Sequence, residues 1–245
     1  MMTLHTETQI QAAYGSRDVA STYIDRRFVA PLMALLHQKQ VSAVNRSMAV
    51  SRPAKALEIA PGPGRITRHV EFPGSLTCLE YNAAMIEEGR RACRDDVRWI
   101  AGNAFELDVE LQFDFIYTFR FIRHFDDGDR HRLYERIAAA LRPGGVFLMD
   151  AVNERVSLPL REACPTQYPI YDKLYRDVDE IRNELAPHGL MLESTSPVLN
   201  RFTAQAWVQN LVGPRCDWLC RSLIAALERI SSNSPLEWIV QCRRA

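Results

Sequence analysis

The chain lacks what would place it in a membrane or on a nucleic acid. No stretch approaches the roughly 18 consecutive apolar residues that a membrane-spanning helix requires. The first residues, Met1 to Gln9, show no basic start followed by an apolar core, so no secretory signal is read. Thirty basic residues against thirty acidic ones leave a formal net charge of zero. There is no overall electrostatic footprint for DNA or RNA, and the expectation moves to a small neutral or mixed-charge substrate, with neither nucleic acid nor membrane as partner. The six cysteines (78, 93, 164, 216, 220, 242) have no Cys-x-x-Cys spacing and read as reduced thiols of a cytoplasmic protein. Cys216 and Cys220 are four apart and share a helix face, which reads first as packing and only secondarily as a thiolate metal site. His5, His37, His69, His124, His131 and His188 show no ligand spacing, so no metal is expected. A Gly-x-Ser-x-Gly elbow, a catalytic cysteine environment and internal repeats are missing as well.

What is present centres on Ala56 to Thr67, Ala-Leu-Glu-Ile-Ala-Pro-Gly-Pro-Gly-Arg-Ile-Thr. A short apolar strand breaks into a Pro/Gly turn and continues as a helix start, which turns backbone N–H groups outward and lets a ligand approach closely. The pyrophosphate pattern GxGxxG fails because position 67 is Thr, and a P-loop fails for want of a lysine. What remains is Glu58-x-Ala60-x-Gly62-x-Gly64. An acid inside the first strand repels a phosphate but suits a ligand with positive charge or with N–H and hydroxyl donors.

With these residues the chain resembles the class I S-adenosylmethionine-dependent methyltransferases of small-molecule type, Ala60 standing where that family usually has Gly. Later pieces follow the same order: Glu80 at the end of a second strand, Gly102-Asn-Ala just after the third, and Arg142-Pro-Gly-Gly ahead of the fifth. The resemblance covers residues 54–151 well and the C-terminal strands more loosely. It implies an α/β fold with a doubly wound, mostly parallel seven-stranded, Rossmann-like sheet of order 3-2-1-4-5-7-6, the seventh strand antiparallel.

The local pattern agrees with that class. Strands are expected at 55–60, 76–81, 97–101, 113–119 and 145–151, and helices at 65–71, 83–94 and 128–141; such alternation signals parallel strands joined by crossovers. Residues 171–188 read as one amphipathic helix before Gly189, 190–192 as a strand, 217–230 as helical and 236–242 as a last strand. Residues 152–170 and 198–216 give no clear local reading and are where a substrate-shaping insertion belongs. Residues 1–50 read as helical, with Pro31 at a helix start. The resemblance makes 1–50 a helical lid on a methyltransferase domain spanning 51–245, with Tyr14, Tyr23, Arg26 and Arg27 as candidates to face the cleft. Packing on the sheet alone is the plain alternative.

Ligands of doubly wound sheets bind outside the carboxyl ends of the strands. For S-adenosylmethionine, with S-adenosylhomocysteine as product, the candidate binding residues are Glu58, the turn Ala60, Pro61, Gly62 and Gly64, then Glu80 for the ribose hydroxyls, Tyr81, Met85 under the adenine, Asn103 and Ala104 at its edge, Phe119 and Tyr23. Glu80 alone fits a nicotinamide nucleotide equally. Strand four runs into Arg120-Phe-Ile-Arg-His124 without the Asn/Asp-Pro-Pro-Tyr signature of enzymes acting on base amines or glutamine. His124 is a candidate base, since an imidazole titrates near neutrality, or else it caps the next helix. Arg120 and Arg123 are candidates to hold a substrate carboxylate or phosphate in a planar fork, or else to pair with Asp126, Asp127 or Asp129. Asp150 is a further cleft candidate. The expected activity is methyl transfer to an oxygen, nitrogen or carbon of a small molecule. The alternatives are a noncatalytic scaffold of the same fold and a nicotinamide oxidoreductase.

Overall fold

The structure is a computed structural model and describes residues 28–72, 74–107, 113–163 and 173–245. Tyr14, Tyr23, Arg26 and Arg27, and with them most of the expected lid, lie outside the described residues.

Helix α1 (Pro31–Ser51) opens with proline at its first turn, where a missing N–H costs nothing. It closes on Arg52 in the left-handed region, whose N–H donates to Met48 O at 2.8 Å. Its buried Leu32, Leu36, Val44 and Met48 place it on one face of the sheet. The sheet follows as β1 (Lys55–Ile59), β2 (Ser75–Glu80), α2 (Ala83–Ala92), β3 (Arg98–Ala101), β4 (Phe113–Tyr117), α3 (Asp127–Ala140) and β5 (Leu141–Asn153). Then come α4 (Glu154–Ala163), β6 (Leu174–Tyr175), α5 (Val178–Leu185), β7 (Leu190–Val198), α6 (Phe202–Leu211), α7 (Asp217–Glu228) and β8 (Glu237–Arg244). The strand order is β3-β2-β1-β4-β5-β8-β7, with the two-residue β6 beside β5. Strands β1 to β5 are parallel neighbours, and β8 runs antiparallel to both β5 and β7. Setting β6 aside, this is the expected seven-strand order.

Alternation along the central strands divides the core in two. Leu57, Ile59 and Ile116 pack with α3 and α5 on one face; Ala56, Phe115 and Tyr117 pack with α1 and α7 on the other. Glu58 shares the second face, and Tyr117 is its register partner on β4. Among the described residues no helix is long and apolar enough to cross a membrane.

Three local expectations differ from the structure, and two stretches without a reading gain one. Residues 65–71 are not a helix: turns lead into a single 3-10 turn, Thr67–His69, because the chain must drop under the Gly-rich turn before β2. The helix expected at 171–188 is only Val178–Leu185, started by the Asp177 side chain accepting from Glu180 N, and preceded by β6. The strand expected at 190–192 runs on to Val198, because pairing with β8 extends along its whole length. The unread stretches 152–170 and 198–216 hold α4 and α6, whose turns are fixed by tertiary packing; Pro159 lies inside α4. Cys220 is buried in the core between α6 and α7, its Sγ 3.8 Å from Val208 O.

Candidate active site

At the carboxyl end of β1 the backbone enters the left-handed region three times, at Ala60 (φ 52°), Gly62 (58°) and Gly64 (74°). The two glycines differ in what surrounds them. A Cβ on Gly64 would meet Cys93 Sγ at 2.4 Å, whereas one on Gly62 would point into open space. Gly64 is thus a packing position that lets α2 press against the turn, and Gly62 leaves room on the cleft side. Ala60 has to hold a conformation that an L-residue enters at a cost of roughly 1–2 kcal/mol.

Two glutamates flank this turn. Glu80, at the end of β2, accepts the Gly62 N–H on Oε2 (3.0 Å) and the Asn82 N–H on Oε1 (2.9 Å). Glu58 is 3% exposed, and its Oε2 accepts from Thr67 Oγ1 (2.5 Å) and Tyr117 OH (2.8 Å). Burial pushes Glu58 up to about 7, the hydroxyls of Thr67 and Tyr117 and the charge of Arg65 opposing the shift only in part. Burial also raises Glu80, against the backbone N–H groups that hold it.

A single cleft gathers most of the candidates. One side is lined by Glu58, Ala60, Pro61 and Gly62, by Glu80, Tyr81 and Met85, and by Asn103 and Ala104. Phe119, Arg120 and His124 line it from the β4 side, together with Phe121 and Phe125. Gly64 is absent from the lining, since it faces α2. The Asn103 carbonyl expected at the adenine edge accepts the Phe105 N–H (3.1 Å) and starts a 3-10 turn, Ala104–Glu106, so that oxygen already serves the backbone.

Arg123 does not reach the cleft, and this corrects its candidate role. It is 6% exposed, and its Nη1 is 3.2 Å from Asp150 Oδ2 and 3.5 Å from Glu237 Oε2. Asp150 is held in turn, accepting the Arg120 N–H on Oδ1 at 2.6 Å. The chain of polar contacts continues outward. Gln40 of α1 donates to Glu237 Oε1 (3.2 Å), and Arg65 Nη2 donates to Gln40 Oε1 (2.8 Å). Arg65 Nη1 lies 3.1 Å from His37 Nδ1. Burial and the Arg65 charge lower His37 to about 4, so its Nδ1 is an acceptor at neutral pH. Glu237 is raised to about 7 by burial and by Asp150 beside it. Of these, Arg65, His37, Gln40 and Glu237 escaped the sequence reading. The Tyr117 contact to Glu58 was within reach, because strands with register partners at those positions put both side chains on one face.

Residues 56–145 match the family model described as a methyltransferase domain. That segment is similar to such a domain. It contains the turn, both glutamates and β1 to the start of β5. None of the curated proteins matches the chain in sequence. Among solved structures, the magnesium protoporphyrin IX methyltransferase of Synechocystis PCC 6803 with bound S-adenosylhomocysteine superposes with a TM-score of 0.67 at 11% identity, over 97% of this chain and 99% of that one. The 1,6-didemethyltoxoflavin-N1-methyltransferase of Burkholderia thailandensis superposes at 0.62 with 18% identity, over 100% and 93%. The N-methyltransferase NodS of Bradyrhizobium japonicum WM9 gives 0.58 at 12% identity, over 92% and 98%. Over nearly its whole length the chain shares the fold of these three methyltransferases.

Proposed function

We propose that the chain transfers the methyl group of S-adenosylmethionine to an oxygen, nitrogen or carbon nucleophile of a small molecule, releasing S-adenosylhomocysteine. The observation that carries this reading is the pair of buried carboxylates at the ends of adjacent strands, on either side of a left-handed turn that opens into one cleft. The donor set suits that cofactor. Glu58 is a carboxylate short of positive charge, and a cation beside it restores its ionised form. Each Glu80 oxygen accepts one backbone N–H and keeps lone-pair capacity for a ribose hydroxyl. Met85, Leu79 and Ala104 offer an apolar wall for a flat base.

The cofactor when bound supplies a methyl group already activated on a sulfonium. The part left to this chain is orientation, which holds the reacting atoms about 3 Å apart and removes much of the entropic barrier. We assign to His124, in the 3-10 turn Ile122–His124 on the cleft wall, the role of taking the proton of a hydroxyl or amine acceptor; its position in the lining supports this. Phe119 and Phe121 keep bulk water from that region. Free thiols at Cys78, Cys93, Cys216, Cys220 and Cys242 fit a cytoplasmic setting.

Titration calorimetry with S-adenosylmethionine and S-adenosylhomocysteine tests the cofactor half. Binding that is lost in Glu80→Ala is expected, and absence of heat from folded wild-type protein rejects the reading. Methyl-tritiated cofactor tests the transfer half: label that enters no small-molecule acceptor, under conditions where the cofactor binds, leaves a noncatalytic binding protein.

A further inference from the structure

Three arginines surround the inner end of the cleft, and they are not equivalent. Arg123 is neutralised by Asp150 and Glu237. Arg65 is tied to Gln40 and His37 and packs 4.3 Å from the centre of the Phe28 ring. Arg120, also in the cleft lining, has a guanidinium that, among the described residues, makes no hydrogen bond and no ion pair; it stands 6.0 Å from the centre of the same Phe28 ring, and its charge acts on Glu237 from a distance. Its backbone is fixed nonetheless. Arg120 stands at φ 60°, and its N–H is clamped to Asp150, which Arg123 holds from behind. The structure therefore invests a strained residue and a buried ion pair in aiming one partly exposed cation at the cleft.

The nearby carboxylates make no hydrogen bond to that cation, although its charge favours the ionised form of Glu237. Asp150 is occupied by the Arg120 N–H and by Arg123, and Glu237 by Arg123 and Gln40. The walls around Arg120 are aromatic: Phe121 meets Phe125 edge to face at 5.0 Å, and Phe119 stands on the strand side. His124 follows four residues on, in the same wall.

Resting on the methyltransferase reading above, we propose that the methyl acceptor is a small aromatic carboxylate, its carboxylate held by the Arg120 guanidinium and its ring among Phe119, Phe121 and Phe125. A planar fork matches a planar two-oxygen anion, and one unpaired cation balances one negative charge. A ring hydroxyl or amine then faces His124 and the methyl donor. Arg120 is the anchor that selects the acid over its neutral analogues, while Arg65 and Arg123 support the wall that carries it.

The test uses the full chain with salicylate, its neutral counterpart salicylamide, and phenyl phosphate as probes, in calorimetry or ligand-observed NMR, with and without S-adenosylhomocysteine. Wild-type protein is expected to favour salicylate over salicylamide at least about tenfold, the size of one charge-assisted hydrogen bond. Arg120→Gln is expected to abolish that preference while its affinity for S-adenosylhomocysteine stays unchanged, which also shows that the variant is folded. Equal binding of salicylate and salicylamide, binding of neither, or a preference that survives in Arg120→Gln overturns the proposal. Phenyl phosphate binding more tightly than salicylate overturns the carboxylate assignment. Failure of the methyltransferase reading would appear separately, as wild-type protein that ignores S-adenosylhomocysteine.

Discussion

The two ends of the cleft are built on different principles. The end proposed for the cofactor comes from one continuous stretch of chain, in which β1, its turn, β2 and β3 deliver Glu58, Gly62, Glu80 and Asn103 in sequence order. The end proposed for the acceptor is tied together from far apart: Arg123 on the loop after β4, Asp150 on β5, Glu237 at the start of β8, Gln40 on α1 and Arg65 after the Gly-rich turn. Each end contains one buried glutamate raised to about 7, yet the two are handled differently. Glu58 has only hydroxyl donors and faces the cleft. Glu237 has a guanidinium and an amide and faces none of it. The first is a carboxylate waiting for a ligand's charge; the second belongs to a framework that is already paired.

That contrast can be attacked at its strongest point first. Arg123→Met strips Asp150 and Glu237 of their shared cation inside the protein, and is expected to cost about 3–5 kcal/mol in urea unfolding. A small change would mean that the acceptor end is not held by this ion pair. Next, Gly64→Ala combines a forbidden φ with a Cβ against Cys93, so a loss of about 2–4 kcal/mol is expected. Gly62→Ala carries the backbone strain alone and is expected to lose about half as much. The same unfolding curves compare the two.

The Glu58 prediction concerns pH. Its folded value lies above the ordinary 4.5, at about 7, so the ligand-free protein loses stability as pH rises through that window. A cationic ligand must meet the ionised form, so S-adenosylmethionine affinity is expected to increase about tenfold from about pH 6 to about pH 8. Glu58→Gln should flatten that profile in calorimetry. A wild-type profile as flat as the variant's would show that Glu58 does not face the ligand's charge. The smallest expected effect is Ala60→Gly, which relieves the left-handed strain but loosens the unfolded chain. A net gain of about 0.5–1 kcal/mol is expected, with cofactor binding retained.

The sequence was legible where structure is local. A strand, a Pro/Gly turn and an acid at the next strand end carry their meaning within about a dozen residues on either side; their alternation with helices gives a parallel sheet, and the strand order came from the resemblance. Arg123 shows where this fails. Its partners are 27 and 114 residues away, and nothing near it in the chain distinguishes a buried pair from a cleft-facing fork. Helix α6 was opaque because its helical form depends on packing against α7, α1 and the core more than on a local pattern. The supposed helix at 65–71 failed for the opposite reason: its residues permit a helix, but Thr67 is needed under Glu58 and Arg65 over Phe28.

The position of β8 bears on how the molecule comes into being. This strand lies inside the sheet between β5 and β7, although it is among the last residues of the sequence. While the chain is emerging from a ribosome, the edge of β5 has no β8 beside it, and Gln40 and Arg123 lack their shared partner until Glu237 arrives. That wall of the cleft is therefore completed only after β8 has been made, later than the Gly-rich turn and its two glutamates.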